Sequence, residues 1–486
     1  MNHADRAAHI ADKLVKEALW DGARATWLGD EIEPDASGTG GTLTYRALGG
    51  DLYGGTAGIG LFLARYAAAS GDAPAAETAR AALAHATVWA ERTRPGGALM
   101  SGTAGIATAA LDAAHLLGDD GLARHAARLT RATVHRIPAA ADLVGGRAGT
   151  LLALTHLARR LPDAEDRARA ARAADATATS LHTQARPGPL TGICWPSDLG
   201  GAPLCGLAHG AAGIALALLE HDPAGPRALH TAAEAATFER AWFSPEHGTW
   251  ADLRDLATTG PTWPEHWCHG ALGVGVARLR LYDLTGRPVY AAEAGAAVDS
   301  AARRLNDAAE HPAPVDMSTC HGLAGAAELL LDAARVLRQP ALRALAAETL
   351  TTAAGHVTGD EWPCGIPGGG ENPSLFTGLA GIGTALLRVH DPALPSTVAA
   401  YAGATMQARL VVQLTCPPQT PPEALREQVE TVSAAVPGAR VERVSPRGRA
   451  LLRLPAGADV TTALDALNRT GGVAYAELDV TDTAQD

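Results

Sequence analysis

Trp267-Cys268-His269-Gly270-Ala271-Leu272-Gly273 and Thr319-Cys320-His321-Gly322-Leu323-Ala324-Gly325 decide how this chain is read. Each sets a Cys-His pair ahead of a Gly-x-x-Gly turn and an Ala- and Leu-rich helix. Five further stretches share the pattern. They are Leu52–Gly58, Leu99–Gly105, Leu143–Gly149, Leu207–Gly213 and Leu375–Gly381. The shared glycine falls at Gly55, Gly102, Gly146, Gly210, Gly270, Gly322 and Gly378, at intervals of 47, 44, 64, 60, 52 and 56 residues. Each interval holds two helices and two connections, so the repeat sets the architecture.

The segments that open at these glycines are apolar, as in Ile59–Ala69, Ile106–Leu117 and Ile214–Leu219. The segments between them, such as Ala75–Arg92 and Asp119–Arg136, are amphipathic and read as outer, solvent-facing partners. In each turn the first glycine permits the bend into the helix, and the second permits close approach of a neighbouring helix. Seven apolar inner helices with seven amphipathic outer ones predict a mainly α fold, an α/α toroid. The alternative is an open solenoid. Closure is favoured because the inner helices are too apolar to line a wet groove and the polar residues collect at one end of the units. Ala4–Leu19 reads as an amphipathic helix with Ile10, Leu14 and Val15 on one face, and Pro34–Gly50 as a Gly- and Thr-rich loop.

Strand signals are expected first at Ala408. Ala408–Leu414, Arg440–Val444, Arg449–Leu454 and Val473–Leu478 read as strands, and Pro422–Ala435 and Val460–Asn468 as helices. The order β-α-β-β-α-β predicts a small ferredoxin-like α+β domain. The expected division is 1–405 for the toroid and 406–486 for this domain, whose expected role is binding a peptide or a partner.

Composition narrows the partners. Hydrophobic residues are 47% of the 486 and charged residues 19%, which suits a globular chain with a large core. Aromatics are only 4%, so Ala, Leu and Val must build that core. A net charge of −12 argues against nucleic acid or an anionic membrane surface. The most apolar run, Pro203–Leu219, is short and contains His209, so no membrane span is expected. Met1–Asp21 lacks the apolar core of a signal peptide. The six cysteines do not form a disulfide scaffold in a chain of this length, and reduced thiols in a cytoplasmic setting are expected.

Aligning the units on the shared glycine isolates the chemistry. The residue just before it is Gly54, Ser101, Gly145, His209, His269, His321 and Thr377. The residue two before is Tyr53, Met100, Val144, Ala208, Cys268, Cys320 and Phe376. Three consecutive units therefore place a His at one rim, and two add a Cys. Two thiolates and one imidazole are a zinc set that leaves a fourth position open. Such a zinc suits a visiting thiol, because a coordinating thiol is deprotonated outright while a free one is mostly protonated at neutral pH. His209, one unit away, is the candidate proton carrier. Asp142, four before Gly146, could orient it, although Asp51 holds the same register. Cys194, Cys205 and Cys364 read as buried small hydrophobes. Few carboxylates fall in the inner turns, which weakens a glycoside hydrolase reading.

With the turns, Gly206-Leu207-Ala208-His209-Gly210 and Trp250-Ala251-Asp252-Leu253-Arg254 in view, residues 1–405 resemble the lanthionine synthetase C-like (LanC) cyclases. The resemblance implies zinc held by Cys268, Cys320 and His321. It implies addition of a peptide cysteine to dehydroalanine or dehydrobutyrine, with a dehydrated precursor peptide as partner and a separate dehydratase upstream. It also implies acid–base roles for His209 and Asp142, and a proton-transfer or outer-shell role for His269. One departure is that no Arg stands in Trp263-Pro264-Glu265-His266, where bacterial cyclases can carry one. The alternatives are glutathione addition to dehydrated peptides, and a non-catalytic scaffold whose zinc is closed by His269 or Cys205. Gly472–Glu477 resembles the last strand of subtilisin-type propeptides.

Overall fold

The computed structural model describes residues 2–34, 41–199, 201–310, 315–355, 357, 361–392, 394–399, 409–417, 420–454 and 460–478. Two compact units divide the chain, Met1–Ala402 and Gly403–Asp486.

The first unit is mainly helical. Helix α1 (His3–Glu17) opens it, capped by Asn2, which accepts from the Asp5 amide at 2.8 Å. Helix pairs follow: α2 (Thr56–Ser70) with α3 (Ala73–Thr93), α4 (Thr103–Leu117) with α5 (Asp120–Thr133), and α6 (Arg147–Arg160) with α7 (Ala164–Gln184). Next come α8 (Ala211–His221) with α9 (Pro226–Arg240), α10 (Ala271–Thr285) with α11 (Pro288–Glu310), and α12 (Leu323–Val336) with α13 (Ala341–Gly355). Last is α14 (Leu379–His390).

The even-numbered helices start at the shared glycines and are buried almost throughout, as in α4, where Thr103 to Ala114 are all buried. Their partners bury one stripe only, as in α5, which buries Leu122, Ala126, Leu129, Thr130 and Thr133. That difference follows from composition, since an all-apolar helix must be covered on every side. The seventh partner comes from the other end of the chain: α1 packs on α14. Ile10 and Leu14 are buried there, and Lys13 pairs with Glu371 at 2.5 Å.

Backbone hydrogen bonds join the seven turns in order. Tyr53 N donates to Met100 O at 3.1 Å, Met100 N to Val144 O at 3.1 Å and Val144 N to Ala208 O at 3.2 Å. Ala208 N donates to Cys268 O at 3.2 Å, Trp267 N to Cys320 O at 2.9 Å and Cys320 N to Phe376 O at 2.8 Å. Phe376 N donates to Tyr53 O at 3.1 Å, so the last turn is bonded to the first. The second glycine of each turn makes room for this. A Cβ on Gly273 would lie 2.6 Å from Leu207 Cβ of the preceding turn and 2.1 Å from Trp267 O. The glycine therefore admits the neighbouring turn, where the sequence reading expected a neighbouring helix.

Two expectations are corrected. Pro34–Gly50 is not simply loop: Gly41–Ala47 is a strand paired antiparallel with Leu28–Pro34, from Leu28 opposite Ala47 to Pro34 opposite Gly41. Thr42, Thr44 and Arg46 alternate with Leu43 and Tyr45, a period-two signal masked by the flanking glycines. Polar residues also do not collect at one end alone. The tenth residue after each shared glycine is Arg65, Asp112, His156, Glu220, Arg280, Asp332 and Arg388. All seven are ionisable in a chain only 19% charged, so composition does not explain the register. They pair between neighbouring helices: His156 Nε2 lies 2.8 Å from Asp112 Oδ1, Arg280 bonds Glu220, and Arg388 Nη2 donates to Asp332 at 2.7 Å.

The second unit carries a four-stranded antiparallel sheet, in spatial order Arg440–Val444, Arg449–Arg453, Arg409–Leu414, Val473–Leu478. Helices α15 (Pro422–Ser433) and α16 (Val460–Asn468) lie in the sequence positions expected. Alternate strand residues Leu410, Val412, Ala450 and Leu452 join Leu425, Val429 and Leu467 of the helices in one core, so one sheet face is covered.

Candidate metal centre

The fifth and sixth turns are neighbours through the Trp267–Cys320 backbone bond, which sets their Cys-His pairs side by side. One donor atom each of His266, Cys268 and His321 lies within 4.8 Å of the other two. Cys320, His266 and His321 all lie close enough to the Cys268 thiol to act on its ionisation. Cys320 stands outside the mutual three-residue group but touches Cys268, and its side chain also meets the Tyr53 hydroxyl.

The two thiols are polarised in opposite directions. Contact with Cys320, and then with His266 and His321, holds Cys268 well below the ordinary thiol range against the opposing effect of burial. Burial, followed by the neighbouring Cys268 charge, pushes Cys320 well above that range. Burial opposes the charged form of His321, but Cys268 outweighs it and raises the imidazole. His321 Nδ1 lies 3.2 Å from the Gly365 carbonyl. With Nδ1 donating there, Nε2 is free as a ligand, the second-shell arrangement typical of metal-bound His. Arg304 also donates to the His321 carbonyl. Thiolate sulphur and imidazole nitrogen within this reach are the donor chemistry of zinc, so the residues fit the ion.

The third and fourth turns together bring a second pair. His209 Nδ1 lies 3.2 Å from Asp142 Oδ2. The other Asp142 oxygen accepts the Gly145 amide at 2.7 Å, which fixes the carboxylate. The His269 ring stacks on His209, with centroids 5.7 Å apart and planes 25° apart. Behind His269, its Nδ1 lies 3.8 Å from Asp252 Oδ1 and has no hydrogen-bond partner. Burial, only partly offset by Cys268, takes the His269 pKa down to about 4, so this imidazole is neutral at neutral pH.

Arg254 grips Asp252 through Nε at 3.0 Å and Nη2 at 2.7 Å. That bond and the Asp252 charge raise its pKa against burial, and Cys268 contributes to the same field. A guanidinium therefore stands within electrostatic reach of Cys268 even though no Arg precedes it closely in sequence.

Of the residues singled out from sequence, Cys268 and His321 meet in one cluster, joined by His266; Cys320 lies next to Cys268 outside that cluster, and Asp142, His209 and His269 line up nearby. Cys205 does not join. It is buried, with its thiol pushed well up, first by burial and then by Glu239. Cys194 is buried too. Cys364 is half-buried against Asn372, its thiol pushed up to about 12 chiefly by burial. His266 escaped the sequence reading, because no other unit places a His four residues before the glycine. The available signal was that Asp142 holds this same position in the third unit.

A profile of the lanthionine synthetase C-like protein family matches residues 46–400. A fervidolysin N-terminal prodomain profile matches residues 409–479, in keeping with the propeptide resemblance of the second unit. None of the curated proteins matches. Among solved structures, nisin cyclase superposes with a TM-score of 0.51 at 17% identity, covering 73% of this chain and 92% of its own. An inactive α-1,6-mannanase variant from Salegentibacter sp. HEL1_6 gives a TM-score of 0.40 at 13% identity, over 82% of this chain and 99% of its own. No helix among the described residues is long and apolar enough to cross a membrane. With a family profile spanning most of its length and a His/Cys/His cluster of zinc type at the turns, the chain belongs to the lanthionine synthetase C-like proteins.

Proposed function

We propose that this protein is a zinc-dependent lanthipeptide cyclase, and that the closed series of turn hydrogen bonds belongs to an α/α toroid carrying its site at one rim. The observation that carries the reading is the juxtaposition of a thiol–imidazole cluster with the His209–Asp142 pair, drawn from four consecutive turns. Cys268, Cys320 and His321 would hold the ion. Zinc, when bound, supplies the acidity that makes a coordinating thiol a thiolate at neutral pH.

The chain's own residues do the rest. The Asp142 carboxylate keeps His209 in the tautomer with Nδ1–H donating to it, which leaves Nε2 to take up the peptide cysteine's proton. The sulphur forms a bond to the β-carbon of dehydroalanine or dehydrobutyrine, and the C=C electron pair moves into an enolate. Nε2 then returns the proton to the α-carbon, so atoms and charge balance. His269, neutral and stacked against His209, excludes water on one side. Arg254 places positive charge near the developing enolate, a role that fits the missing Arg ahead of Cys268.

The test is a dehydrated precursor peptide incubated with the zinc-loaded protein. Ring closure removes a free thiol without a change in mass, whereas glutathione addition raises the mass. If Cys320→Ala retained both zinc and thioether formation, the reading would fail. A second reading has its own observation: His266 offers a fourth donor beside Cys268, and four protein donors are the composition of a structural zinc. On that reading the protein is a peptide-binding scaffold. For the second unit, the strand order supports a ferredoxin-like arrangement, and peptide or partner binding is the proposed role. A cytoplasmic setting and a separate dehydratase complete the proposal.

A further inference from the structure

We propose that His266 is a fourth protein ligand that closes the zinc site at rest and gives way to the incoming thiol. The inference rests on reading this rim as a zinc site that receives a thiol.

The fifth turn is built differently from the other six. In those, the amide just after the shared glycine donates to the carbonyl six residues before that glycine: Thr56 to Gly49 at 2.9 Å, Thr103 to Gly96 at 2.9 Å and Arg147 to Ala140 at 2.8 Å. Ala211 to Leu204 at 3.0 Å, Leu323 to Asp316 at 3.0 Å and Leu379 to Asn372 at 2.7 Å repeat it. In the fifth turn that closure becomes one half of an antiparallel bridge between Glu265 and Gly270, and a 3.0 Å bond from His266 N to His269 O forms the other half. Gly270 has φ +101°, while Gly210 and Gly322 on either side have φ −111° and −109°. Only glycine adopts that conformation cheaply, and a Cβ there would lie 1.8 Å from Pro264 O.

The rebuilt turn redirects one side chain. Four residues before the glycine, Asp51 and Asp142 fold back to accept their own turn's amides, from Gly54 at 2.8 Å and Gly145 at 2.7 Å. Ser318 accepts the His321 amide at 3.4 Å in the same way. His266 does not fold back. Its ring meets the His321 ring edge-on at 5.1 Å and contacts Cys268. Ligand atoms on a tetrahedral zinc sit roughly 3.3–3.8 Å apart. The three donor atoms, already within 4.8 Å of one another, need shifts of about an ångström to reach that geometry, with Cys320 in contact beside them.

The four donors are held unequally. His321 is fixed through Nδ1 by Gly365 O and through its carbonyl by Arg304. The His266 ring is seen only against the His321 ring and the Cys268 sulphur, with no outer hydrogen bond to hold it among the described residues. A metal-bound His without an outer-shell partner is the weaker ligand. His266 is therefore the donor that an incoming thiolate displaces, and the same zinc is closed at rest and open in use.

Zinc-edge X-ray absorption on the intact, zinc-loaded protein tests this. The wild type should show two sulphurs and two nitrogens. On titration with N-acetylcysteine methyl ester it should move to three sulphurs and one nitrogen. His266→Ala and His266→Gln should keep one zinc per chain, replace one nitrogen by oxygen, and bind the same thiol about tenfold more tightly, because no internal ligand competes. A wild-type shell with two sulphurs, one nitrogen and one oxygen would overturn the proposal, even if neither variant folds. So would a third sulphur gained without loss of a nitrogen. Coordination is read without any dehydrated peptide, so an inactive protein would sink the cyclase reading alone.

Discussion

The inner helices carry two registers with opposite characters. Just before the shared glycine the residues are mostly small or neutral, and three consecutive turns supply His209, His269 and His321. Ten residues after it, about 15 Å along each helix, all seven positions are ionisable. The first register is local and the second is distributed. Chemistry needs a few groups gathered on adjacent turns, because the reacting atoms must all lie within a few ångströms. In this register ion pairs tie neighbouring helices at three places, Asp112 with His156, Glu220 with Arg280 and Asp332 with Arg388, while Arg65 buries Nη1 without a hydrogen-bond partner. Arg65, Asp112, His156, Glu220 and Arg388 are all buried there, so each charge must find its neighbour or be costly.

Breaking the two registers should give opposite phenotypes. Cys268→Ala removes the sulphur that contacts the other three donors. Zinc affinity should fall by more than the roughly 10- to 100-fold of an outer-shell change, and thioether formation should be lost, while far-ultraviolet circular dichroism stays helical. Metal analysis after dialysis against a weak chelator reads this directly. Retained zinc would show that the cluster is not the metal site.

Asp112→Asn should do the reverse. His156, beside the Asp112 carboxylate, together with Arg160, outweighs burial and lowers its pKa. A lowered carboxylate pKa stabilises the fold above the unfolded value, about 4, and that stability is lost as pH falls through the folded value. Weakening the contacts to His156 and Arg160 should cost about 1–3 kcal/mol near neutral pH, with one zinc per chain retained. The gap from wild type should shrink below about pH 4 as the carboxylate protonates. Denaturant unfolding across that range checks both, and a gap that grows towards acid would reverse the sign of the argument.

How much of this was legible in the sequence depended on register. The seven turns, their helices and the six elements of the second unit could be read because glycine and apolar period recur visibly. The meeting of Cys268 and His321 followed once the turns were aligned, whereas Cys320 stands beside that cluster and not in it. Three features were not read. The partner of α14 is α1, and only ring closure, not local pattern, brings the two ends of the unit together. His266 sits in a turn whose backbone departs from its siblings, so alignment on the glycine assigned it no role. The charges at the tenth position resemble a solvated helix end until burial shows them inside. In each case the missing information was tertiary.

The next sharper test separates two residues in one register. Asp142→Asn should leave zinc bound but lose the charge that sets His209, lowering the rate of ring closure roughly 10- to 100-fold, less than the upper range for removing an acid–base group. Unchanged turnover with zinc at full occupancy would remove Asp142 from the mechanism.

Asp51 is the control, and its expected effect is the smallest. It accepts the Gly54 amide at 2.8 Å, just as Asp142 accepts that of Gly145 at 2.7 Å. The residue before the glycine of the next turn is Ser101, where Asp142 meets His209, so no imidazole waits on its other oxygen. Burial, only partly offset by backbone amides, raises the Asp51 pKa. A buried acid with a raised pKa opposes folding once it is ionised, so its cost grows as pH rises. Asn keeps the acceptor and drops the charge. Asp51→Asn should therefore leave the rate within about twofold, and leave stability at neutral pH unchanged or higher by up to about 1 kcal/mol. A rate loss matching that of Asp142→Asn would mean that the carboxylates act through the shape of the turns and not through His209.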